Sequence, residues 1–165
     1  MAKRERQPPS PDELERMADH IGDALVDMLR GDAMWTYQHN RYAGLASMTY
    51  ARSLIEFLVG RDRDRNPSDV WPTDFVQEWR VDDDESKLLR GQLTVPDTQL
   101  AHLSLARVRD SGERPIGWSA TIERITALTE RFSIEAASAP GGTQIIAAVG
   151  RGRALAEDVR RSPRP

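Results

Sequence analysis

The chain has 165 residues, of which 39% are hydrophobic and 30% are charged, and one domain of this length can bury about 70% of its unfolded surface. It contains no cysteine, which excludes disulfides, cysteine-ligated zinc or iron–sulfur sites and cysteine nucleophiles, and which suits a reducing cytoplasm. No apolar run approaches the roughly 20 residues that cross a bilayer, and the first residues lack the apolar segment of a secretory signal, so we expect a cytoplasmic protein without membrane contact.

Charge is distributed unevenly along the chain. The net charge is −3, but residues 1–10 carry +2 and residues 151–165 carry +3, so the body between them carries −8. An acidic body is a poor binder of duplex nucleic acid, because that affinity depends on neutralised phosphates. We predict a disordered basic tail over residues 1–9, a single helical-bundle domain over 10–160 and a second tail over 161–165.

The first predicted helix has the clearest start signal in the chain. Ser10 is a capping residue, Pro11 suits the first helical position, and Glu13 completes a capping box. Apolar residues then recur at three- and four-residue spacing, which predicts one buried stripe on a helix that ends near Gly31. The stripe consists of Leu14, Met17, Ala18, Ile21, Leu25, Met28 and Leu29.

The second predicted helix occupies the longest proline-free segment that is rich in large apolar side chains, from Trp35 to Val59. A short Gly31–Asp32 break separates it from the first helix, so we predict a long antiparallel helical hairpin over about 11–30 and 33–59. Beyond Tyr42, apolar residues surround most of this helix, which predicts burial on several sides.

A narrow polar strip interrupts that apolar surface. Arg41 and Arg52 are eleven residues apart and so differ by only about 20° around a helix, and Glu56 follows Arg52 by one turn. A buried arginine without a partner is costly. We therefore predict that Arg52 pairs with Glu56 or another acid, or borders a cleft.

Residues 60–84 contain charge runs and two prolines, but they also contain large aromatic side chains, which usually bury large areas. We predict an ordered excursion with one or two helical turns, held on the bundle by Trp71, Phe75 and Trp79. Such an excursion is either a functional loop or a structural cover, and the sequence leaves both interpretations open.

Two acidic runs in this region do not predict a metal site. Residues 62–66 resemble the start of an EF-hand calcium loop, but Pro67 stands where the turn needs glycine and Thr73 where the loop needs a bidentate glutamate. The run from Asp82 to Glu85 is typical of a solvated helix start. We therefore predict neither a metal nor a cofactor.

The rest of the chain predicts four further helical segments, over 85–93, 94–108, 118–132 and 143–160. The last of them contains Gly150 and Gly152, each of which weakens a helix by about 1 kcal/mol relative to alanine. The sequence leaves open whether this last segment docks on the bundle, exchanges onto a partner or frays. Strand signals are nearly absent, so the predicted fold is an all-α bundle of four to six helices.

The chain offers few groups for catalysis. It has three histidines, no cysteine, no GxSxG elbow and no glycine-rich phosphate loop in a strand–turn–helix context. The remaining possibility is arginine, histidine and acid chemistry of the kind used by metal-independent ribonucleases. The candidate residues for such a site are Arg52, Glu56, His102 and His39, with packing or hydrogen bonding as the alternative role of His102.

The segments Tyr50 to Leu58, Leu100 to Ser104 and Trp118 to Ile122 resemble a group of uncharacterised bacterial helical proteins. More distantly, the long hairpin is similar to the HEPN superfamily, and the similarity spans about residues 15–135. HEPN members that cleave RNA carry an arginine and a histidine separated by four to six residues. The corresponding separations in this chain are three, eight and eleven residues, for Arg16 and His20, Arg30 and His39, and Arg90 and His102. The resemblance therefore supplies no catalytic residues.

Two hypotheses for function follow from these patterns. The first is a non-catalytic, cytoplasmic helical-bundle protein that acts by association, either as a homodimer or with another protein, because the chain has many apolar helix faces and no reactive constellation. The second is a diverged HEPN-like ribonuclease or nucleotide-responsive enzyme with an Arg/His/Glu site, in which case RNA would be the partner.

Overall fold

The computed structural model describes residues 7–60, 70–93 and 117–162. This part of the chain is all-α, as predicted, and contains no strand. The predicted helix over 94–108, the EF-hand-like residues 62–66 and most of the two predicted tails lie outside it. The six helices of the described residues are α1 (Pro11–Gln38), α2 (Arg41–Val59), α3 (Pro72–Phe75), α4 (Asp83–Gln92), α5 (Trp118–Glu135) and α6 (Gly142–Arg161).

Helix α1 starts where the sequence predicts, with a complete capping box. The Ser10 side chain accepts a hydrogen bond from the Glu13 backbone N–H, and the Ser10 backbone N–H donates to Glu13 Oε2 at 2.8 Å. That backbone hydrogen bond, together with one from the Ser10 hydroxyl, holds the pKa of the Glu13 carboxyl below its ordinary value. Two of the backbone N–H groups that lack a partner within the helix are thereby satisfied.

The end of α1 differs from the prediction. The helix continues through Gly31 to Gln38, and the chain turns only at His39, whose φ of 55° is left-handed, before Asn40 caps α2 with a 3.1 Å bond from the Ala43 N–H. Gly31 is buried against α2, where a Cβ would lie 2.6 Å from the Ala43 carbonyl oxygen. The glycine therefore permits close helix approach and does not end the helix.

Helices α1 and α2 form the predicted antiparallel hairpin with this shifted boundary, so Trp35 belongs to α1. Its ring lies on Gly44 of α2, where any Cβ would overlap the indole. One turn further along, Ser47 is fully buried and its hydroxyl donates to the Met28 carbonyl at 2.9 Å. The hairpin is held by close packing of small residues as well as by its apolar core.

Helix α6 docks on α1 within the same chain, and the two helices run in the same direction. A Cβ on Gly22 would lie 2.8 Å from the Ala148 Cβ, and one on Gly152 would lie 2.9 Å from a Leu29 methyl. Gly152 is buried in this contact, whereas Gly150 faces open space. Only one of the two glycines that weaken α6 is therefore required by packing.

Helix α1 is the central element of the bundle. It packs against α2, α5 and α6. The predicted apolar stripe of α5 faces this core, with its main residues buried. Those residues are Trp118, Ile122, Ile125, Leu128 and Phe132.

The described part of the predicted excursion covers one end of the bundle. Phe75 and Trp79 are buried, Trp71 is half-buried, and Phe132 meets Trp79 edge to face with ring centroids 5.0 Å apart. The Trp79 indole N–H donates to the Leu58 carbonyl at 2.8 Å. Over residues 70–84 the contacts are those of a structural cover.

Helix α4 follows the acidic run, as predicted. Asp82 caps it by accepting hydrogen bonds from the backbone N–H groups of Asp84 and Glu85. Leu89 and Leu93 are buried one turn apart. The guanidinium of Arg90 reaches the Val59 carbonyl at 3.3 Å and so ties α4 to the end of α2.

Candidate functional site

The predicted polar strip of α2 contains the expected ion pair. Arg52 Nε lies 3.1 Å from Glu56 Oε1, and the two side chains are 31% and 33% exposed. Arg41, the first residue of α2, is exposed on the same side of the helix. An ion pair with this much solvent contact contributes under about 1 kcal/mol to stability, so it does not by itself mark a buried active site.

The candidate histidines are not assembled with this ion pair in the described residues. His39 is exposed in the turn between α1 and α2, about 20 Å from Arg52 along the axis of α2 at 1.5 Å per residue. His20 is exposed on α1. His102 lies outside the described residues, so its place beside Arg52 and Glu56 stays a prediction.

A cleft of about 750 Å³ lies between the C-terminal halves of α1 and α6 and the first half of α5. Its arginines are paired with acids: Arg153 contacts Glu130, and Arg160 lies 3.5 Å from Glu157 and over the ring of Tyr37. Such paired cations do not offer the surplus positive charge that an anionic ligand needs.

A smaller cleft, of about 320 Å³, lies at the end of α2 beside Trp79 and Arg90. Both side chains donate to backbone carbonyls there, as described above, and so complete the end of the helix. Within the described ranges no three histidine or acidic side chains are grouped as a metal site would require. No helix in the same ranges is long and apolar enough to cross a membrane.

One side of α2 is exposed, which corrects the prediction that this helix is buried on several sides. At about 100° per residue, four of its exposed residues fall within a sector of about 60°. We call this surface the α2 outer face. It consists of Tyr42, Ala46, Thr49 and Ser53, and the Tyr42 side chain is 86% exposed.

The α2 outer face carries no charge, and the hydroxyl groups of Thr49 and Ser53 bond to the backbone of their own helix. Thr49 Oγ1 donates to the Leu45 carbonyl at 3.0 Å, and Ser53 Oγ donates to the Thr49 carbonyl at 3.2 Å. With both donors satisfied, the surface that these residues present is made largely of carbon atoms and one aromatic ring.

The outward sides of α1 and α5 are different. Exposed residues of α1 include Arg16, Asp19 and Asp23, and those of α5 include Glu123 and Arg124. Charged residues at such positions keep a helix face solvated, because their desolvation is costly. The α2 outer face has no such protection.

No protein-family model, curated protein or solved structure matches the chain. The resemblance to the HEPN superfamily therefore stays a prediction from the residues quoted above. Function is inferred below from the geometry and chemistry of the described surface.

Sequence reasoning missed the α2 outer face because it counted Tyr42 and Ala46 as part of an apolar surface that surrounds the helix. A different signal was available in the sequence. The positions of the outer face, spaced by four, three and four residues, form one helical stripe without a charged residue, and α6 has an exposed stripe of the same spacing at Thr143, Ala147, Gly150 and Ala154. Only the tertiary structure shows that the α2 stripe is exposed.

Proposed function

We propose that the chain is a cytoplasmic, non-catalytic helical-bundle protein that acts by association and forms a homodimer through the α2 outer face. The observation that supports this proposal is the uncharged, exposed stripe from Tyr42 to Ser53, which includes a tyrosine that is 86% exposed.

The chemistry of this face suits an interface. Burying it removes no charge from water, and the Thr49 and Ser53 hydroxyl groups stay satisfied because they donate to their own backbone. Tyrosine is enriched at interfaces because it buries a large ring while its hydroxyl reaches the solvated edge. The small side chain of Ala46 allows the axis of a second helix to come close.

The experiment is sedimentation of the purified chain over a wide range of concentration. We expect the average mass to rise from that of the 18.6 kDa monomer toward twice that value. Ala46→Arg places a charge in the middle of the face and is expected to keep the protein monomeric. Ala127→Arg, an exposed alanine on α5, is the matched control and is expected to dimerise as the unmodified chain does.

Two results would contradict the proposal. A chain that stays monomeric at every concentration is not a homodimer. If the Ala46→Arg variant dimerises as tightly as the Ala127→Arg variant, the association uses another surface. Circular dichroism of both variants verifies that the helices are intact.

A further inference from the structure

We infer that the turn between α5 and α6 decides which chain α6 docks on. With Gly142 in place the turn closes, and α6 lies on α1 of its own chain. A side chain at this position prevents closure and transfers α6 to α1 of a second copy, which gives an exchanged dimer. The exchange involves the core of the bundle and not the α2 outer face.

Helix α6 is held mainly by α1 and much less by α5, its neighbour in sequence. The contact with α1 begins before the first residue of α6, since a Cβ on Gly141 would lie 2.5 Å from the Ala18 Cβ. It continues through Ala148 and Gly152, whose close approach to α1 is described above. Because α1 and α6 are the first and last helices of the described residues, the same contacts can form within one chain or between two.

The turn that joins α5 to α6 consists of residues 136–141 and is tightly closed. The Ala139 N–H donates to the Ala136 carbonyl at 2.9 Å, and the Gly142 N–H donates to the Ala139 carbonyl at 3.0 Å. A Cβ on Gly142 would overlap the Ala136 carbonyl oxygen and lie 3.0 Å from the Ala137 Cα. Both neighbours are backbone atoms of the turn, so they cannot give way unless the turn opens.

The surroundings of Gly142 separate the turn from the docking surface. The three atoms nearest to a Cβ at this position all belong to Ala136 and Ala137, and none belongs to α1. Gly141 differs, because a Cβ there would meet Ala18 on α1. A side chain at position 142 therefore blocks the turn and leaves the surface that binds α6 intact.

The short connection favours docking within one chain. It gives α6 an effective concentration on the order of millimolar at its own α1, so unmodified chains at micromolar concentration stay closed. A turn that cannot close loses this advantage. Pro140 prevents residues 136–141 from continuing α5 as an unbroken helix, and in extended form these residues span at most about 20 Å, enough to reach a bundle that lies alongside.

The test uses chains that carry Ala46→Arg, which removes association through the α2 outer face. Gly142→Ala is compared with Gly150→Ala, a matched control in the same helix whose Cβ meets no neighbour. Both variants are unfolded in urea, refolded at high concentration and analysed by size-exclusion chromatography with light scattering. We expect the control to elute as the 18.6 kDa monomer and most of the Gly142→Ala variant to elute at twice that mass.

Dilution identifies the kind of dimer. An exchanged dimer must unfold before its chains separate, and unfolding is slow in water. We expect the isolated Gly142→Ala dimer to persist for hours after dilution to nanomolar concentration, whereas a dimer held by a surface contact would dissociate.

Two changes in the length of the turn complete the experiment. Two glycines inserted after Ser138 let the turn close around the new side chain, so they are expected to return the Gly142→Ala variant to a monomer. Deletion of Ala137 and Ser138 shortens the connection and leaves Gly142 unchanged. This shortened chain is expected to form the same persistent dimer, and it decides the question if the Gly142→Ala variant does not fold.

Three results would overturn the inference. A Gly142→Ala variant that stays monomeric with α6 docked shows that the turn accepts a side chain. Detached α6 in monomers of both the Gly142→Ala variant and the shortened chain shows that α6 does not transfer. A dimer that dissociates on dilution, or that the inserted glycines do not convert to a monomer, is held by another surface. The proposed homodimer is decided separately, by sedimentation of the unmodified chain.

Discussion

At the scale of single residues, the glycines show that the neighbours of a position decide how an added side chain would affect stability. Gly150 in α6 faces open space, whereas a Cβ on Gly22 in α1 would lie 2.8 Å from the Ala148 Cβ. Both residues lie inside helices, where glycine costs backbone entropy relative to alanine. The packing contact offsets that cost at one position only.

We expect Gly150→Ala to raise the free energy of unfolding by about 0.5–1 kcal/mol, because alanine is the better helix former and meets no neighbour. Gly22→Ala is expected to lower it by about 1–3 kcal/mol, because the added methyl pushes α1 and α6 apart. Chemical denaturation followed by circular dichroism measures both. Equal stability of the two variants would contradict the close contact of α1 with α6.

Tyr50 is the residue with the clearest electrostatic perturbation apart from Glu13. The negative charge of Asp27 on α1 and a hydrogen bond to the same carboxylate raise the pKa of the Tyr50 phenol above its ordinary value of 10.0, with smaller contributions from partial burial and Asp23. The phenol therefore stays protonated in the folded chain at pH values where it ionises in the unfolded chain.

This contribution to stability is complete below about pH 10 and is lost as the pH rises through the folded-state pKa of Tyr50. Ultraviolet titration of tyrosinate measures the folded-state pKa of Tyr50. The ionisation of this residue is the difference between the titration curves of the unmodified chain and the Tyr50→Phe variant. We expect the midpoint of that difference to lie above 10.0 and to fall when Asp27→Asn removes the charge. A midpoint that Asp27→Asn does not change would show that another group causes the perturbation.

At the scale of helical elements, the end of α2 is completed by side chains from later in the chain. Its last carbonyl groups have no partner within the helix. The Trp79 indole supplies the hydrogen bond to Leu58, and the Arg90 guanidinium supplies the one to Val59. The excursion and α4 thus act as a cap that is remote in sequence and adjacent in space.

We expect Trp79→Phe to lower the free energy of unfolding by about 1–3 kcal/mol beyond the loss of ring area, because the buried Leu58 carbonyl loses its donor. Trp118→Phe is the matched control. The Trp118 indole N–H is buried without a hydrogen-bond partner in the described part of the chain, so this variant makes the same change in size and breaks no hydrogen bond there. Thermal denaturation compares them, and an equal loss in both variants would contradict the capping role of Trp79.

The starts of α1 and α4 were predictable from the sequence, whereas the end of α1 and the start of α2 were not. Ser10 and Asp82 cap their helices through hydrogen bonds to backbone groups two or three residues away, so the signal is local. Gly31 carries the same local signal as a terminating glycine. Its role depends on Ala43 and Ser47, which approach it from the next helix, and no local pattern reports that approach.

At the scale of the whole molecule, α1 is covered on one side by α2 and on another by α6. Helix α6 buries Ile145 and Val149 together with the small residues of its contact with α1. Complete burial of one such branched side chain stabilises a fold by about 1.5–3 kcal/mol. The two together amount to a large part of the 5–15 kcal/mol that is typical of a domain.

A chain that ends after Ala139 is therefore expected to lose cooperative unfolding and to bind a dye that reports exposed apolar surface. A chain that ends after Ser162 retains α6 and is the control. Circular dichroism during urea denaturation distinguishes them. Cooperative unfolding of the shorter chain at an unchanged midpoint would show that α6 is not part of the core.

The candidate site was predicted only in part. The pairing of Arg52 with Glu56 follows from their spacing of one turn, and the structure confirms it. Whether that pair is buried or solvated depends on the elements that cover α2, so the sequence could not decide it. The α2 outer face depends on the same information, since an uncharged stripe is either core or surface until its neighbours are known.

The sequence by itself determined the helical class, the starts of α1 and α4 and the buried stripe of α5, because capping hydrogen bonds and helical periodicity involve residues a few positions apart. Tertiary structure alone decided that α1 is the central helix, that Gly31 and Gly152 are contact residues, and that one side of α2 stays exposed. Each of these depends on which surfaces of distant helices come within van der Waals distance. These contacts between distant helices are a property of the packed bundle and not of any local segment.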